Sequence, residues 1–156
     1  MLNVRMIGLA AWMAIFSASI SANAVEIINS RIDNVGNLVL DVADEPPPVP
    51  VLNYRVRARA AATYVCATPA GVPHFLIPSR TIESTVNDSV MLSVGVGGGI
   101  RDFATLALPR DRVTFGCPRG FSVQLASVVY SQIQVRNPFG HIAYARDDVR
   151  VFIHIE

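Results

Sequence analysis

The sequence predicts an all-β protein, an antiparallel sandwich of about eight strands closed by one disulfide, with a small closed barrel as the alternative. Three observations lead there. The dominant hydrophobic period is two, and helical patterning is nearly absent. Clusters of glycine, proline and asparagine punctuate the chain at regular spacing. Cys66 and Cys117 form an even pair, enclosing a loop of about fifty residues.

Residues 1–24 read as an export signal. One arginine, Arg5, precedes an apolar run from Met6 to Phe16, and the segment ends Ala22-Asn23-Ala24, the small-x-small pattern of a signal-peptidase site. That run is short for a bilayer span, and nothing later resembles one, so no stable membrane span is expected after cleavage. Residues 25–156 then form a single domain. In an exported chain the two cysteines are expected to join. The protein is expected in the periplasm or outside the cell.

The elements follow in order. VEIINSRID (25–33) and LVLDV (38–42) read as strands joined by Asn34-Val35-Gly36-Asn37. The proline-rich run Glu45 to Pro50 must be an extended connection, because proline cannot donate to a ladder. From Val51 to Cys66 the chain alternates without a break. Leu52, Tyr54, Val56, Ala58, Ala60, Ala62, Tyr64 and Cys66 share one face; Asn53, Arg55, Arg57, Arg59 and Thr63 share the other. A straight strand of this length would outreach a domain this small, so it must coil or bend, and Ala60-Ala61-Ala62 is the expected place. Two or three strands follow, around 80–87, 89–96 and 102–108, with a reversal at Gly97-Gly98-Gly99. A long strand over 121–135 would place Phe121, Val123, Leu125, Val129, Ile133 and Val135 on one face. Asn137-Pro138-Phe139-Gly140 has the residues of a β-turn. A final hairpin, 141–146 with 149–155, would turn at Asp147-Asp148.

Composition excludes several chemistries. All thirteen cationic residues are arginine, which removes lysine Schiff bases and lysine nucleophiles. Without Arg5, twelve arginines face twelve carboxylates, and a net charge near zero argues against nucleic acid as a partner. A disulfide withholds both sulfurs from metal binding and nucleophilic attack. The glycines at 95 and 97–99 lack the Lys-Ser/Thr and helix of a phosphate loop. No Gly-x-Ser-x-Gly elbow is present, and the four glutamates show no glycosidase spacing. No cofactor is expected.

Tyr64-Val65-Cys66-Ala67 resembles the Tyr-x-Cys-Ala of an immunoglobulin variable-domain strand. Here it carries the first cysteine instead of the second, and the only tryptophan, Trp12, lies in the leader. The likeness implies an Ig-like sandwich and not an immunoglobulin domain. A further resemblance is to a group of uncharacterised small exported bacterial β-sandwich proteins. It rests on Tyr54, Ala58 to Cys66, Phe115-Gly116-Cys117-Pro118-Arg119-Gly120 and Leu125 to Tyr130, and it implies architecture without a site.

Two candidate sites stand out. Arg55, Arg57 and Arg59 project from one face at spacings of about 7 Å. They are either a solvated outer face, balanced by carboxylates on neighbouring strands, or a strip that forks onto sulfate, phosphate or uronate groups. An Asp147-Asp148 turn would set His141 opposite His154, a pair that could reach one metal with a third ligand such as His74. The plain alternative is two surface histidines near a sheet edge.

The sequence thus favours a non-catalytic exported module that binds a protein or an anionic surface polysaccharide. The alternatives are a small metal-assisted hydrolase using the histidine pair, and a surface-fibre subunit assembled by strand addition.

Overall fold

The computed structural model describes residues 24–45, 51–95, 98–110 and 116–153. Two sheets pack face to face, giving the sandwich the patterning predicts. The smaller has the order β1-β2-β5, from Glu26–Ile32, Leu38–Asp44 and Ile100–Leu106. The larger runs β4-β3-β6, from Arg80–Ser93, Val51–Ala67 and Ser122–Arg136. Two short strands, β7 (Ile142–Tyr144) and β8 (Asp148–Val151), complete it along the free edge of β6. All pairings between these strands are antiparallel. No helix among the described residues is long and apolar enough to cross a membrane. The leader, the prolines at 46–48 and 50, and His154 lie outside the described residues.

Alternation builds the core. On β2, Leu38, Leu40 and Val42 are fully buried. They face Tyr54, Val56, Ala58, Ala60 and Ala62 of β3, with Val128, Tyr130, Ile133 and Val135 of β6. The alanines of β3 have a packing role. Ala60 pairs directly with Tyr130, and its small side chain leaves room for that ring. The Tyr130 hydroxyl then crosses the sandwich to donate to Gly36 O at 2.9 Å. Gly36 itself needs a left-handed backbone (φ 87°), and a Cβ there would lie 2.6 Å from Leu125. The same turn is built by Asp33, whose carboxylate accepts from the Val35 and Asn37 amides at 2.9 and 2.8 Å. Desolvation pushes the Asp33 pKa up, but hydrogen bonds from Asn37, Val35 and Gly36 outweigh it and hold the group below its ordinary value.

The cysteines form the expected disulfide, Cys66–Cys117, with Cα atoms 5.5 Å apart. It ties the end of β3 to the segment entering β6 and closes a 51-residue separation. Arg150 of β8 donates to Ile32 O (2.6 Å) and Asn34 Oδ1 (2.7 Å), fastening the large sheet to the β1–β2 turn.

Three expectations are corrected. Residues 80–93 make one strand, because β4 is an edge paired to β3 throughout, where exposed Asn87, Asp88 and Ser89 are tolerated without a turn. The ladder of β3 runs through Ala60-Ala61-Ala62 without a register shift; the irregularities fall in its partner β6, opposite Ala58 and between Thr63 and Tyr64. Those two bulges switch which side chains of β6 point inward. Ala126, Val128 and Tyr130 are buried where Val129 was expected to be, and Val129 is exposed. The bulge residue Gln132 has φ 51°, the only described non-glycine residue on that side of the map. Finally, β7 and β8 do not pair with each other. Both continue one register along β6, and the break at 145–147 lies opposite the Gln132 bulge. The free edge of β6 offered a longer ladder than a two-residue hairpin could.

Candidate binding face

The outer face of the large sheet carries the arginine row. Arg55, Arg57 and Arg59 are all exposed, while Tyr54, Val56, Ala58 and Ala60 between and beside them are buried. Pairing decides their neighbours. On β4 they face Ser89, Asn87 and Thr85. On β6 they face Arg136, Gln134 and Ser131. The residues directly opposite are therefore hydroxyls, amides and a fourth arginine, while the carboxylates of Asp88 and Glu83 line the same surface beside them. Among the described residues, none of Arg55, Arg57, Arg59 and Arg136 has a carboxylate within 4 Å. Asp88 stands at the β4 rim with Oδ1 accepting from the Ser89 amide at 2.7 Å. Like charges placed directly opposite each other destabilise a sheet, and Arg55 with Arg136 is such a pair.

The row lies in a chain of hollows. A groove of about 640 Å³ is bounded by Arg55, Arg57, Arg136, Asn87, Asp88 and Gln134. Further along, hollows of about 310 and 350 Å³ adjoin Arg57 and Arg59. The first is walled by Gln132, Gln134 and exposed Tyr144, the second by Glu83, Thr85 and Ser131. The left-handed bulge at Gln132 belongs to this surface, since it puts two amide side chains and Tyr144 beside the arginines. The arrangement presents guanidinium forks, amides and one aromatic ring along an open trough, a set that grips extended anions bearing hydroxyls.

Beneath the Arg55–Arg136 pair the backbone is pinned from inside. Asp44 is buried, and its Oδ2 accepts from the Tyr54 hydroxyl (2.6 Å) and Asn137 Nδ2 (3.0 Å). Its Oδ1 accepts from the Glu45 amide at 2.9 Å. Burial first, then the hydrogen bond to Asp44 and its charge, hold the Tyr54 phenol far above its ordinary pKa. Asn137 Oδ1 in turn accepts from the Phe139 and His141 amides, shaping the turn after Arg136. One network thus fixes the residue before Arg55 and the residue after Arg136.

Of the expected histidine pair, only His141 is among the described residues. His141 Nδ1 lies 3.4 Å from Asn137 Nδ2, and His154 is outside the described residues. His74 is occupied elsewhere. Its amide donates to Cys66 O, and its ring meets Phe121 edge-on at 4.7 Å. Cys66 and Tyr54 lie twelve residues apart on β3, so His74 and His141 belong to ends of the sandwich separated by on the order of 40 Å. No group of three or more His, Cys, Asp or Glu side chains among the described residues could hold a metal.

Sequence reasoning missed Arg136, Gln134, Asn87 and the buried Asp44. Asp44 had a readable signal, because continuing the alternation Leu38, Leu40, Val42 by one step points a carboxylate inward. No family model, curated protein or solved structure matches the chain.

Proposed function

We propose that the protein is an exported, non-catalytic binding module that holds an anionic surface polymer, such as a sulfated or uronate polysaccharide, against its arginine trough. The observation that carries this reading is the row Arg55, Arg57, Arg59 with Arg136, whose directly opposite partners are amides and hydroxyls and none of which pairs with a carboxylate within 4 Å among the described residues; Asp88 and Glu83 line the same hollows without pairing. Repulsion among these groups is a standing cost to the fold, and an anionic ligand relieves it. Three hollows in line suit an extended chain better than a point ligand. Export is supported by the leader-like residues 1–24 and the Cys66–Cys117 disulfide, which suits an oxidising compartment, periplasmic or extracellular. The test is affinity for immobilised dextran sulfate and polygalacturonate, with neutral dextran as control. Charge reversal Arg57→Glu should abolish retention without lowering the melting temperature. Equal retention of wild type and variant would end the proposal.

A second reading, a fibre subunit assembled by strand addition, draws on β4. Its fourteen residues pair with β3 on one side, and no described strand forms a ladder with the other. Asp88, in register with inward-pointing Val56, works against it as an edge charge. Sedimentation decides: assembly that grows with concentration supports the fibre, and a monomer at high concentration removes it.

A further inference from the structure

One cross-strand row of the large sheet sets three chemistries side by side on its outer face. Tyr144 of β7 stands directly opposite Gln134 of β6, and Gln134 stands directly opposite Arg57 of β3. Neighbouring strands are about 4.8 Å apart, so Tyr144 and Arg57 lie roughly 10 Å apart with the amide between them. Tyr144 is 72% exposed. It is the one aromatic residue that the described strands present outward on this face, since Tyr54, Tyr64 and Tyr130 of the same sheet belong to the core. Tyr144, Gln134 and Arg57 line the hollow of about 310 Å³ together with Arg59 and Gln132. Asp88 and Glu83 stand in the other two hollows along the arginine row, but no carboxylate lines this one. The side chains of Gln132, Gln134 and Tyr144 make no hydrogen bond among the described residues, so their polar groups are available to a ligand. Gln132 also holds φ 51°, a conformation that costs a residue with a Cβ and that glycine would adopt freely. Backbone strain of this kind collects at ligand sites.

We propose that this hollow is the subsite for one acidic sugar ring, its C–H face on Tyr144, its hydroxyls on the Gln132 and Gln134 amides and its anionic substituent on Arg57 and Arg59. Resting on the anionic-polymer reading above, this makes the ligand a carbohydrate recognised by its ring and not by charge alone. Guanidinium forks suit carboxylate, sulfate and phosphate alike, so the arginines do not choose among them. The amides do. Each offers an acceptor oxygen as well as donors, and sugar hydroxyls answer both, whereas a phosphate chain has only acceptors to give. Tyr144 adds an apolar ring face with a polar tip, which covers the C–H bonds of a pyranose and has no counterpart on a phosphate chain. A single-stranded nucleic acid would stack on aromatic rings too, but it uses them for successive bases, and this face has one. A uronate and a sulfated sugar share the chemistry.

The test is calorimetric titration of the intact, disulfide-bonded protein with oligogalacturonate, sulfated dextran oligomers, linear polyphosphate and oligothymidylate at low salt. Tyr144→Leu keeps apolar bulk on an exposed strand position but removes the ring. It should weaken binding of an acidic sugar by about fivefold or more and leave polyphosphate within about twofold. Tyr144→Phe keeps the ring and should stay within about twofold for every ligand. Arg57→Gln should weaken all four. Unchanged melting temperatures show that the variants keep the fold. A Tyr144-dependent loss with oligogalacturonate alone assigns a uronate, and one with sulfated dextran alone assigns a sulfated sugar; either upholds the subsite. If the wild type binds these anions but Tyr144→Leu weakens none, weakens polyphosphate as much as the sugars, or weakens oligothymidylate most, the subsite is overturned while the arginine trough stands. If the wild type binds none of the four, the trough reading itself falls and the subsite with it.

Discussion

Replacing Arg55 by Gln should stabilise the protein, although it removes a residue from the proposed binding face. Arg55 stands directly opposite Arg136 and one outward position from Arg57. Cross-strand partners lie about 5 Å apart and outward neighbours about 7 Å apart. In water, unscreened charges at those distances repel by about 0.8 and 0.6 kcal/mol. With a Debye length of about 30 Å at 10 mM salt, most of this survives, roughly 1.2 kcal/mol together. At 0.15 M it falls to about 0.7 kcal/mol, and at 1 M to about 0.2 kcal/mol. Guanidinium groups that splay apart lower each figure, so these are upper values. The gain should therefore be a few tenths of a kcal/mol at physiological ionic strength and should fade with added salt. Urea unfolding at the three salt concentrations measures it as a rise in midpoint at constant m. Destabilisation by Arg55→Gln, or a gain independent of salt, would refute the reasoning. The first outcome would mean that Arg55 has a favourable partner; the second would mean that its effect is not electrostatic.

Three further outcomes are expected. Gly36→Ala should cost about 2 kcal/mol, from a left-handed residue gaining a Cβ, with Leu125 shifting to relieve the 2.6 Å approach; chemical denaturation reads it. Tyr54→Phe should cost about 1.5–3 kcal/mol, because it removes the shortest hydrogen bond to buried Asp44, and Phe fills the same space. Stability should also fall above pH 10. Burial pushes the Tyr130 phenol up to about 12, so its contribution is complete below the unfolded value near 10 and is lost as pH rises through 12. With no lysine and no free cysteine, tyrosines alone titrate across that window before arginine, and Tyr130→Phe should flatten the decline.

What could be read in the sequence was whatever depends on local alternation. The parity of β3 was legible because alternation runs unbroken from Leu52 to Cys66, and the outward arginines followed from it. The parity of β6 was not. Two bulges, one at a glutamine in the left-handed region, exchange inward and outward residues, and neither has a glycine to announce it. The final strands were misread for a related reason. Ile142 to Ile153 fits a self-paired hairpin and an extension of β6 equally well, and only the three-dimensional edge chooses between them. The arginine row was legible as a candidate strip, but its surroundings were not. Its meaning depends on what stands opposite each guanidinium, and Ser89, Asn87, Gln134 and Arg136 come from two strands whose registers no local pattern fixes.

The most direct measurement is affinity for a sulfated polysaccharide as a function of salt. It should compare wild type with Arg55→Gln/Arg57→Gln/Arg59→Gln and with Arg31→Gln, which removes one positive charge from the opposite sheet, where Arg31 rests over Phe103. Binding should weaken steeply with salt in the wild type, and the triple variant should lose at least about tenfold affinity together with most of the salt dependence. Arg31→Gln should stay within about twofold of wild type. Equal losses in both variants would show that net charge, not the β3 trough, governs the interaction. No loss in the triple variant would contradict the account outright.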